Sequence, residues 1–304
     1  MIAFLILAHN DPRQVARLVS KLQPHHVFIH LDKKTSMSQE WESIQAAFVK
    51  DRVPVYWGDF SQIEATIALV KLALSSSVIY SKLVLISGSC YPIRPMRELE
   101  ALFNSDNGYN YIGRIPVDAS EKLRWMTEHR FHCGGFVPWQ LSSRSAWARL
   151  VDRGLRRIYF ETVSKIRRPW TSRVRRFHGS QWWALSPECG GYVIERFADE
   201  ETASLYRKSM IPDEQFFHSI VADSVFKEIS GPDVPFIGVG AHVAANLHII
   251  DPALKKWFTI SDFEEIGMSE RFFVRKVSTS ASAELLDKID DMVAARDAGF
   301  RDRL

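Results

Sequence analysis

The chain has 304 residues, of which 46% are hydrophobic and 12% aromatic, so it can bury a large core, and disordered, collagen-like and low-complexity classes are excluded. Its 39 Lys and Arg residues nearly balance 36 Asp and Glu residues, giving a formal net charge of +3, which excludes a protein that coats nucleic acid over its whole surface. Three cysteines, Cys90, Cys133 and Cys189, show no CxxC spacing, which disfavours a disulfide framework or structural zinc site and favours a reducing compartment.

The apolar segment 1–8 predicts a buried strand rather than a leader, because no positively charged region precedes it and residues 9–12 (HNDP) follow it. No stretch approaches the ~18 to 20 apolar residues that a membrane-spanning helix requires. No repeat or Pro/Gly/Ser-rich linker divides the chain. We therefore expect a single domain over residues 1–304, in a cytoplasmic protein with at most peripheral contact at the inner membrane face.

The first part of the chain, residues 1–115, alternates patterns typical of strands and helices. The predicted strands are residues 2–8, 27–31, 53–57 and 83–87, and the predicted helices begin at Asp11-Pro12, near Trp41 and at a capping box over residues 61–64. Strands separated by helices indicate right-handed crossovers and a mostly parallel sheet covered on both faces. The sequence thus predicts an α/β fold with a Rossmann-like half.

The second part, residues 116–280, is less regular and carries a basic insertion at 152–176, with nine Lys or Arg residues against two acids. Pro212-Asp213-Glu214 and residues 261–264 predict the starts of two helices, residues 272–274 predict a strand, and residues 281–304 predict a carboxy-terminal helix.

Polar residues follow four of the predicted strands, at 9–10, 32–34, 57–59 and 87–92. Ligands of such sheets bind beyond the carboxyl ends of the strands, so these positions are candidates for a site. The chain has neither GxGxxG after the first strand nor GxxxxGK[ST], which excludes a dinucleotide fingerprint and a P-loop.

Seven blocks, taken in order, carry a family resemblance. They are residues 6–10 (ILAHN), 29–34 (IHLDKK), 57–65 (WGDFSQIEA), 87–94 (SGSCYPIR), 179–185 (GSQWWAL), 212–217 (PDEQFF) and 273–276 (FVRK). Together they closely resemble the core-2/I-branching β-1,6-N-acetylglucosaminyltransferase family, glycosyltransferase family 14, which also includes peptide xylosyltransferases. The resemblance implies a GT-A fold, a UDP-sugar donor and inversion at the anomeric carbon. It implies transfer of a sugar, with GlcNAc expected first, to a hydroxyl of a glycan acceptor in cell-surface polysaccharide or glycoconjugate synthesis.

An inverting transfer needs a base for the acceptor hydroxyl, and Glu214 occupies the position of the family's catalytic glutamate. A place at a helix N-terminus is expected to lower the pKa of Glu214 and keep it ionised. The alternative is that Asp213 and Glu214 only cap a helix. The two interpretations are compatible if Asp213 caps the helix and Glu214 acts as the base.

The leaving diphosphate needs positive charge, and no Asp-x-Asp occurs in the chain to hold the divalent ion that most GT-A enzymes use. The resemblance implies a metal-independent enzyme without a cofactor, in which an arginine and a lysine bind the phosphates. Lys276 occupies the family's lysine position, whereas residues 246–251 place His248 where many members have arginine. The second cation is therefore left open among His248, Lys255, Lys256 and Arg275. Without the resemblance, Arg275 and Lys276 could equally be a pair of solvated side chains beside a strand, with no role in phosphate binding.

The same resemblance places the rest of the donor site. Ala8, His9, Asn10 and Asp32 match family positions near uracil and ribose, with Trp57 or Ser61 expected to line the donor pocket. Trp182 and Trp183 are candidates for a sugar-stacking wall, although at least one of them is expected in the core. Cys90 stands where many members carry aspartate, so any ligand contact of that aspartate is lost or moved.

Three interpretations of the basic insertion remain open. It is a solvated helix face, a binding patch for anionic glycans, or an interfacial amphipathic element whose apolar residues are Ile158, Tyr159, Phe160, Ile166 and Trp170. The last two are favoured jointly, with a lipid-linked glycan as acceptor and an anionic membrane as contact. Nucleic acid is not an expected partner, because no recognised module accompanies the charge.

Two alternatives to GlcNAc transfer remain. One is transfer of xylose or another sugar, since donor choice depends on pocket shape. The other is a catalytically silent protein that binds a nucleotide sugar or glycan, which the departures at His248 and Cys90 allow.

Overall fold

A computed structural model describes residues 1–168, 170, 174–238, 247–253 and 256–301. The strands are β1 (Ile2–Ala8), β2 (His26–Leu31), β3 (Ala47–Phe48), β4 (Lys82–Ser87), β5 (Cys90–Pro92), β6 (Ile115–Pro116), β7 (Phe177–His178), β8 (Ala184–Leu185), β9 (His248–Ile250) and β10 (Phe273–Arg275). The helices are α1 (Pro12–Lys21), α2 (Gln39–Glu42), α3 (Ser61–Leu74), α4 (Met96–Ser105), α5 (Glu121–Glu128), α6 (Trp139–Arg144), α7 (Ala146–Glu161), α8 (Pro187–Ala198), α9 (Glu200–Tyr206), α10 (Asp213–Ala222), α11 (Phe263–Met268) and α12 (Ala283–Arg301).

The central sheet has the strand order β3-β2-β1-β4-β8. β1 pairs in parallel with β2 and with β4, β2 pairs in parallel with β3, and β8 joins β4 antiparallel. The predicted α/β fold with a mostly parallel central sheet flanked by helices is confirmed. Because β1, β2 and β4 run in the same direction, the residues that follow Ala8, Leu31 and Ser87 come together at one edge.

Apolar helices cover both faces of the sheet. One core holds side chains of α3, α8 and α10, such as Ile63, Val193 and Phe217, and the other holds α1 and α4 side chains such as Leu18 and Leu99. Gly190 lets α8 approach β4 closely, because a Cβ there would lie 2.5 Å from Leu83 Cδ1.

Two smaller sheets extend the edge where the strands end. In the order β5-β10-β9, β10 pairs antiparallel with β5 and sets Arg275 opposite Cys90. A two-stranded sheet of β6 and β7 sets Ile115 opposite His178. The first of these sheets brings residues from the last third of the chain to the ends of β1 and β4.

The capping and strand patterns in the sequence predicted some elements correctly and others wrongly. The predicted cap of α1 is confirmed, since Asp11 Oδ1 accepts from Gln14 N at 3.2 Å. The strand predicted at 53–57 is wrong: Val53 N donates to His30 Nε2 and Val55 N to Asp32 Oδ1, so side chains take the place of a partner strand. The short strand β3 takes that edge position instead.

The predicted starts of two helices also differ. α3 begins at Ser61, but the predicted capping box is wrong, because the Ser61 hydroxyl accepts from Tyr56 N at 3.0 Å. α11 begins at Phe263, after a short 3-10 turn whose capping box joins Thr259 and Asp262. Among the described residues, no helix has both the length and the apolar character needed to cross a membrane.

Candidate active site

A cavity of about 1160 Å³ opens where β1, β2 and β4 end. Most residues predicted for the site line it, namely Ala8, His9, Asn10, Asp32, Trp57, Trp182, Glu214, Arg275 and Lys276. Ser61, Trp183 and His248 do not lie among the lining residues. The fold therefore brings together residues that are up to 268 positions apart, such as Ala8 and Lys276.

Asp32 lies at the end of β2 and is buried. Its Oδ1 accepts from Lys34 N at 2.9 Å and from Val55 N at 3.3 Å, and Lys34 Nζ lies 3.1 Å from Oδ2. These bonds fix the carboxylate and compensate its charge at the cavity wall. His9 lies nearby, and burial lowers its pKa, so its ring is neutral near pH 7.

Two carboxyl groups begin α10 at the opposite wall. Asp213 Oδ2 accepts from Gln62 Nε2 at 3.2 Å, and Gln62 Oε1 accepts from Gly58 N at 2.6 Å, so Gln62 ties this carboxyl group to the loop that carries Trp57. Glu214 Oε2 lies 3.3 Å from His178 Nε2.

The pKa of Glu214 is raised well above its usual value, first by burial and second by the charge of Asp213. Burial likewise raises the pKa of Asp213 to about 7. The prediction that the helix N-terminus lowers the pKa of Glu214 is therefore wrong, because loss of water and a neighbouring carboxylate outweigh the helix dipole. The side chain of Asp213 binds Gln62, and no side chain caps α10.

His178 is the functional candidate that sequence reasoning missed. It lies on β7, lines the cavity, and burial lowers its pKa to about 3, so it is neutral. A neutral imidazole can donate Nε2–H to an ionised Glu214 or accept from its protonated form. The contact with His178 can thus position the Glu214 carboxyl group in both its ionised and its protonated form. The only sequence signal was its place directly before the 179–185 block.

Gly179 fixes the His178 segment against α10. Its backbone N donates to the Glu214 carbonyl at 2.9 Å. A Cβ at position 179 would clash with the His218 ring and lie 2.6 Å from the Gly113 carbonyl oxygen. Only glycine allows β7 to come this close to the start of α10.

Arg275 and Lys276 supply positive charge at the side of the cavity formed by β10. The partly buried Arg275 guanidinium donates to the Ser87 hydroxyl, and its central carbon lies 4.5 Å from the Trp182 ring centroid. Lys276 Nζ lies 5.7 Å from the Trp257 ring centroid. Burial and the charge of Arg275 lower the pKa of Lys276, while Asp251 opposes this shift.

His248 does not provide the second cation. It is buried, its ring stacks on Phe273 at 5.1 Å, and its Nε2 lies 3.6 Å from Cys90 Sγ. Burial lowers the pKa of His248 to about 3, so the ring is neutral. Of the other candidates, Lys256 lines the cavity and pairs with Asp262, and residue 255 lies outside the described residues.

Three further residues that the sequence singles out do not line the cavity, and the core position of Trp183 agrees with the expectation that at least one of Trp182 and Trp183 is in the core. Trp183 is part of the core, 5.4 Å from the Phe217 ring, so it is not a wall of the cavity. Ser61 is buried and shapes the loop before Trp57 through its bond to Tyr56 N. Cys90 is fully buried beneath Ser87 and His248, and burial raises the pKa of its thiol.

No group of three or more His, Cys, Asp or Glu residues within the described ranges is placed to hold a metal ion. Among the side chains described, the cavity combines a carboxyl pair on one wall, of which Asp213 is buried and Glu214 is 20% exposed, with arginine and lysine on another. This arrangement can accept a proton at one end and stabilise a leaving anion at the other.

Comparison with known proteins gives one family. Residues 2–233 match the model of the Core-2/I-Branching enzyme family. No curated protein matches the sequence. Among solved structures, the chain is similar to a Bacillus anthracis protein assigned as a glucose-1-phosphate thymidylyltransferase, in complex with a sucrose, at 11% identity over 83% of this chain and 98% of that chain, with a TM-score of 0.33. A TM-score this low adds nothing to the fold seen directly in the sheet topology.

Proposed function

The chain belongs to the Core-2/I-Branching enzyme family and is a glycosyltransferase, and from this premise we propose that it transfers a sugar, GlcNAc first among the candidates, from a UDP-sugar to a glycan hydroxyl. The proposed reaction inverts the anomeric carbon and needs no metal. It serves the synthesis of a cell-surface polysaccharide or glycoconjugate. The observation that supports this best is the position of Glu214 and Lys276 on separate walls of one cavity at the strand ends.

The proposed reaction is a single displacement. The acceptor oxygen forms a bond to the anomeric carbon while the bond from that carbon to the diphosphate oxygen breaks, and UDP leaves with the negative charge. Glu214 takes the proton of the acceptor hydroxyl. Its raised pKa, caused by burial and Asp213, makes it a stronger base than an exposed glutamate once it is ionised.

His178 is proposed as a positioning residue for this base. Its neutral ring contacts Glu214 at 3.3 Å, and it is itself fixed by β7. The contact limits the rotation of the carboxyl group, so that one oxygen stays directed to the acceptor. Such positioning reduces the entropy that the reacting groups must lose.

The leaving diphosphate is proposed to bind near Lys276 and Arg275. Arg275 already donates to Ser87 and packs on Trp182, so its main contribution is a fixed positive charge in a water-poor wall. Lys276, with one flexible ammonium group, is the better candidate for direct contact with a phosphate oxygen.

Nucleoside and sugar are assigned to the remaining walls. Asp32 is proposed to accept from ribose hydroxyls, with Ala8, His9 and Asn10 beside the base, since these residues line the same edge of the cavity. Trp182 lines the cavity with 7% of its surface exposed and with Arg275 packed on its ring, so it is proposed as part of the wall beside the sugar rather than as an open stacking face. Trp57 lies at the mouth, where 70% of its surface is exposed.

Calorimetric titration tests the donor and the metal requirement together. UDP-GlcNAc, UDP-xylose, UDP-glucose and UDP are each titrated with EDTA present and then with Mn²⁺, and transfer to a panel of glycan acceptors is assayed with the same donors. We expect binding in EDTA with a preference for UDP-GlcNAc. A preference for UDP-xylose would change the sugar, strict dependence on Mn²⁺ would contradict the lysine and arginine mechanism, and binding without transfer or hydrolysis would indicate a silent binding protein.

The substitution Asp213→Asn tests the electrostatics of the base. Because the charge of Asp213 raises the pKa of Glu214, its removal lowers that pKa, and the base stays ionised to lower pH. The acid limb of the kcat profile is expected to move down by about one pH unit. Asp223→Asn, at the exposed far end of the same helix, should leave the profile unchanged. An upward shift for Asp213→Asn would contradict the proposed coupling.

A further inference from the structure

Helix α7 turns an apolar stripe away from the protein. Trp147, Leu150, Val151, Leu155 and Ile158 recur at helical spacing, so they share one face. Their exposed fractions are 74%, 55%, 38%, 41% and 62% in that order. No residue of α7 is buried. A surface helix of a globular protein normally turns this face inward, and α7 does the reverse.

The inward face of α7 is held by polar contacts. Asp152 Oδ1 accepts from Phe136 N at 2.7 Å and from Val137 N at 3.0 Å. Arg156 donates to Asp152 Oδ2 at 2.7 Å and to the Cys133 carbonyl at 2.8 Å. These bonds fix the rotation of the helix about its axis. The exposure of the apolar stripe is therefore a property of the folded protein.

Positive charge borders the stripe. Over α6 and α7 there are five arginines and two acids. At helical spacing the exposed Arg153 and Arg157 lie along one side of the stripe, whereas Arg149 lies on the opposite side of the helix. Leu141 of α6 adds another apolar side chain that is 58% exposed. An apolar stripe with arginines beside it suits the boundary between lipid headgroups and acyl chains, where tryptophan is also favoured. Anionic headgroups attract such arginines.

We propose that the face of α6 and α7 binds the surface of an anionic lipid membrane. A second copy of the chain fits this face less well. Two such faces packed together would place their arginines close to one another in an interface from which water is excluded. Of the apolar residues that the sequence indicated, Ile158 belongs to the stripe, and Phe160 and Ile166 are exposed outside it. Tyr159 instead packs on Phe136, and Trp170 packs on Tyr206. Residues 169 and 171–173 of the basic insertion lie outside the described residues.

The inward face of α7, opposite the proposed membrane face, adjoins the mouth of the cavity. The Arg156 guanidinium lies 5.7 Å from the centroid of the Tyr56 ring, and Tyr56 directly precedes Trp57. Membrane binding would thus hold the mouth one helix diameter, roughly 10–12 Å, from the lipid surface, within reach of the hydroxyl groups of a lipid-linked glycan. This inference goes beyond the proposed reaction, and it does not depend on which donor is used.

Vesicle flotation of the full chain tests the inference without an activity assay. Wild-type protein is mixed with phosphatidylcholine vesicles or with vesicles that also contain phosphatidylglycerol. We expect flotation with the anionic vesicles and at least tenfold less bound protein for the double variant Trp147→Gln, Leu155→Gln. Arg153→Gln with Arg157→Gln should reduce binding to anionic vesicles only. The matched control is Ile79→Gln, which removes an apolar side chain that is 91% exposed elsewhere and should bind as wild type does.

Three results would overturn the inference. They are absence of wild-type flotation with anionic vesicles, equal flotation of wild type and the double variant, and a dimer in sedimentation that the double variant abolishes. Because the substituted side chains are exposed, the variants should keep the wild-type circular dichroism spectrum and UDP affinity. Loss of donor binding in all proteins, with flotation intact, would count against the proposed reaction alone.

Discussion

Replacing Glu214 by glutamine is expected to lower kcat by roughly 10² to 10⁴-fold, the range that a positioned general base contributes. Glutamine keeps the size of the side chain and can still contact His178, but its amide cannot accept the proton of the acceptor hydroxyl at neutral pH. The affinity for UDP should change little, because the diphosphate is assigned to the wall that carries Lys276. Initial rates over a range of donor and acceptor concentrations, together with UDP titration, measure both quantities.

The pH dependence gives this prediction a second readout. In the wild type, kcat should rise with pH as Glu214 ionises, and the acid limb should lie above the usual range of glutamate, because burial and Asp213 raise its pKa. In Glu214→Gln this limb should disappear. Glu64→Gln makes the same chemical change at a glutamate outside the cavity lining, where burial also raises the pKa, and should keep the wild-type rate and profile. Full activity of Glu214→Gln would remove Glu214 from the role of base.

The sequence was sufficient for the parts of the site that depend on strand periodicity and order. Ala8, Asp32 and Ser87 each lie at or just after the end of a strand, and parallel strands necessarily bring their ends to one edge. The cap at Asp11 was likewise readable, because it bonds to Gln14 only three residues away. Such features are local or follow from the sheet as a whole.

The other features of the site could not be predicted from the sequence, because they depend on contacts between residues that are far apart in the chain. His178 meets Glu214 because Gly179 permits a close approach between β7 and α10, and no spacing in the sequence indicates that approach. The pKa of Glu214 follows from burial, which outweighs the local helix terminus. The family resemblance places His248 where many members have arginine. In the structure, however, His248 packs on Phe273 outside the cavity lining. Residues 53–57 have the composition of a strand, but Asp32 and His30 bind their backbone N–H groups.

Replacing Lys276 by alanine is expected to weaken UDP binding by roughly 10- to 100-fold, since hydrogen bonds to charged groups contribute about 1.5–3 kcal/mol. Uridine carries no phosphate, so its affinity should remain near that of the wild type. The difference between the two ligands is the signature of a group that contacts the diphosphate. Lys276 suits this test better than Arg275, whose loss would also remove the support of Ser87 and Trp182.

Lys288→Ala is the matched control for Lys276→Ala. Lys288 Nζ lies 5.6 Å from the Phe263 ring centroid, much as Lys276 Nζ lies 5.7 Å from that of Trp257, but Lys288 is not among the residues that line the cavity. Both variants lose one positive charge and one contact with an aromatic ring. If the change in net charge alone weakened UDP binding, the affinity would therefore fall equally in both variants. Equal losses of UDP and uridine affinity in Lys276→Ala would instead show a disturbed pocket and place the diphosphate elsewhere. A selective loss of UDP affinity in Lys276→Ala alone assigns the ammonium group to the leaving diphosphate, because UDP differs from uridine only by its diphosphate.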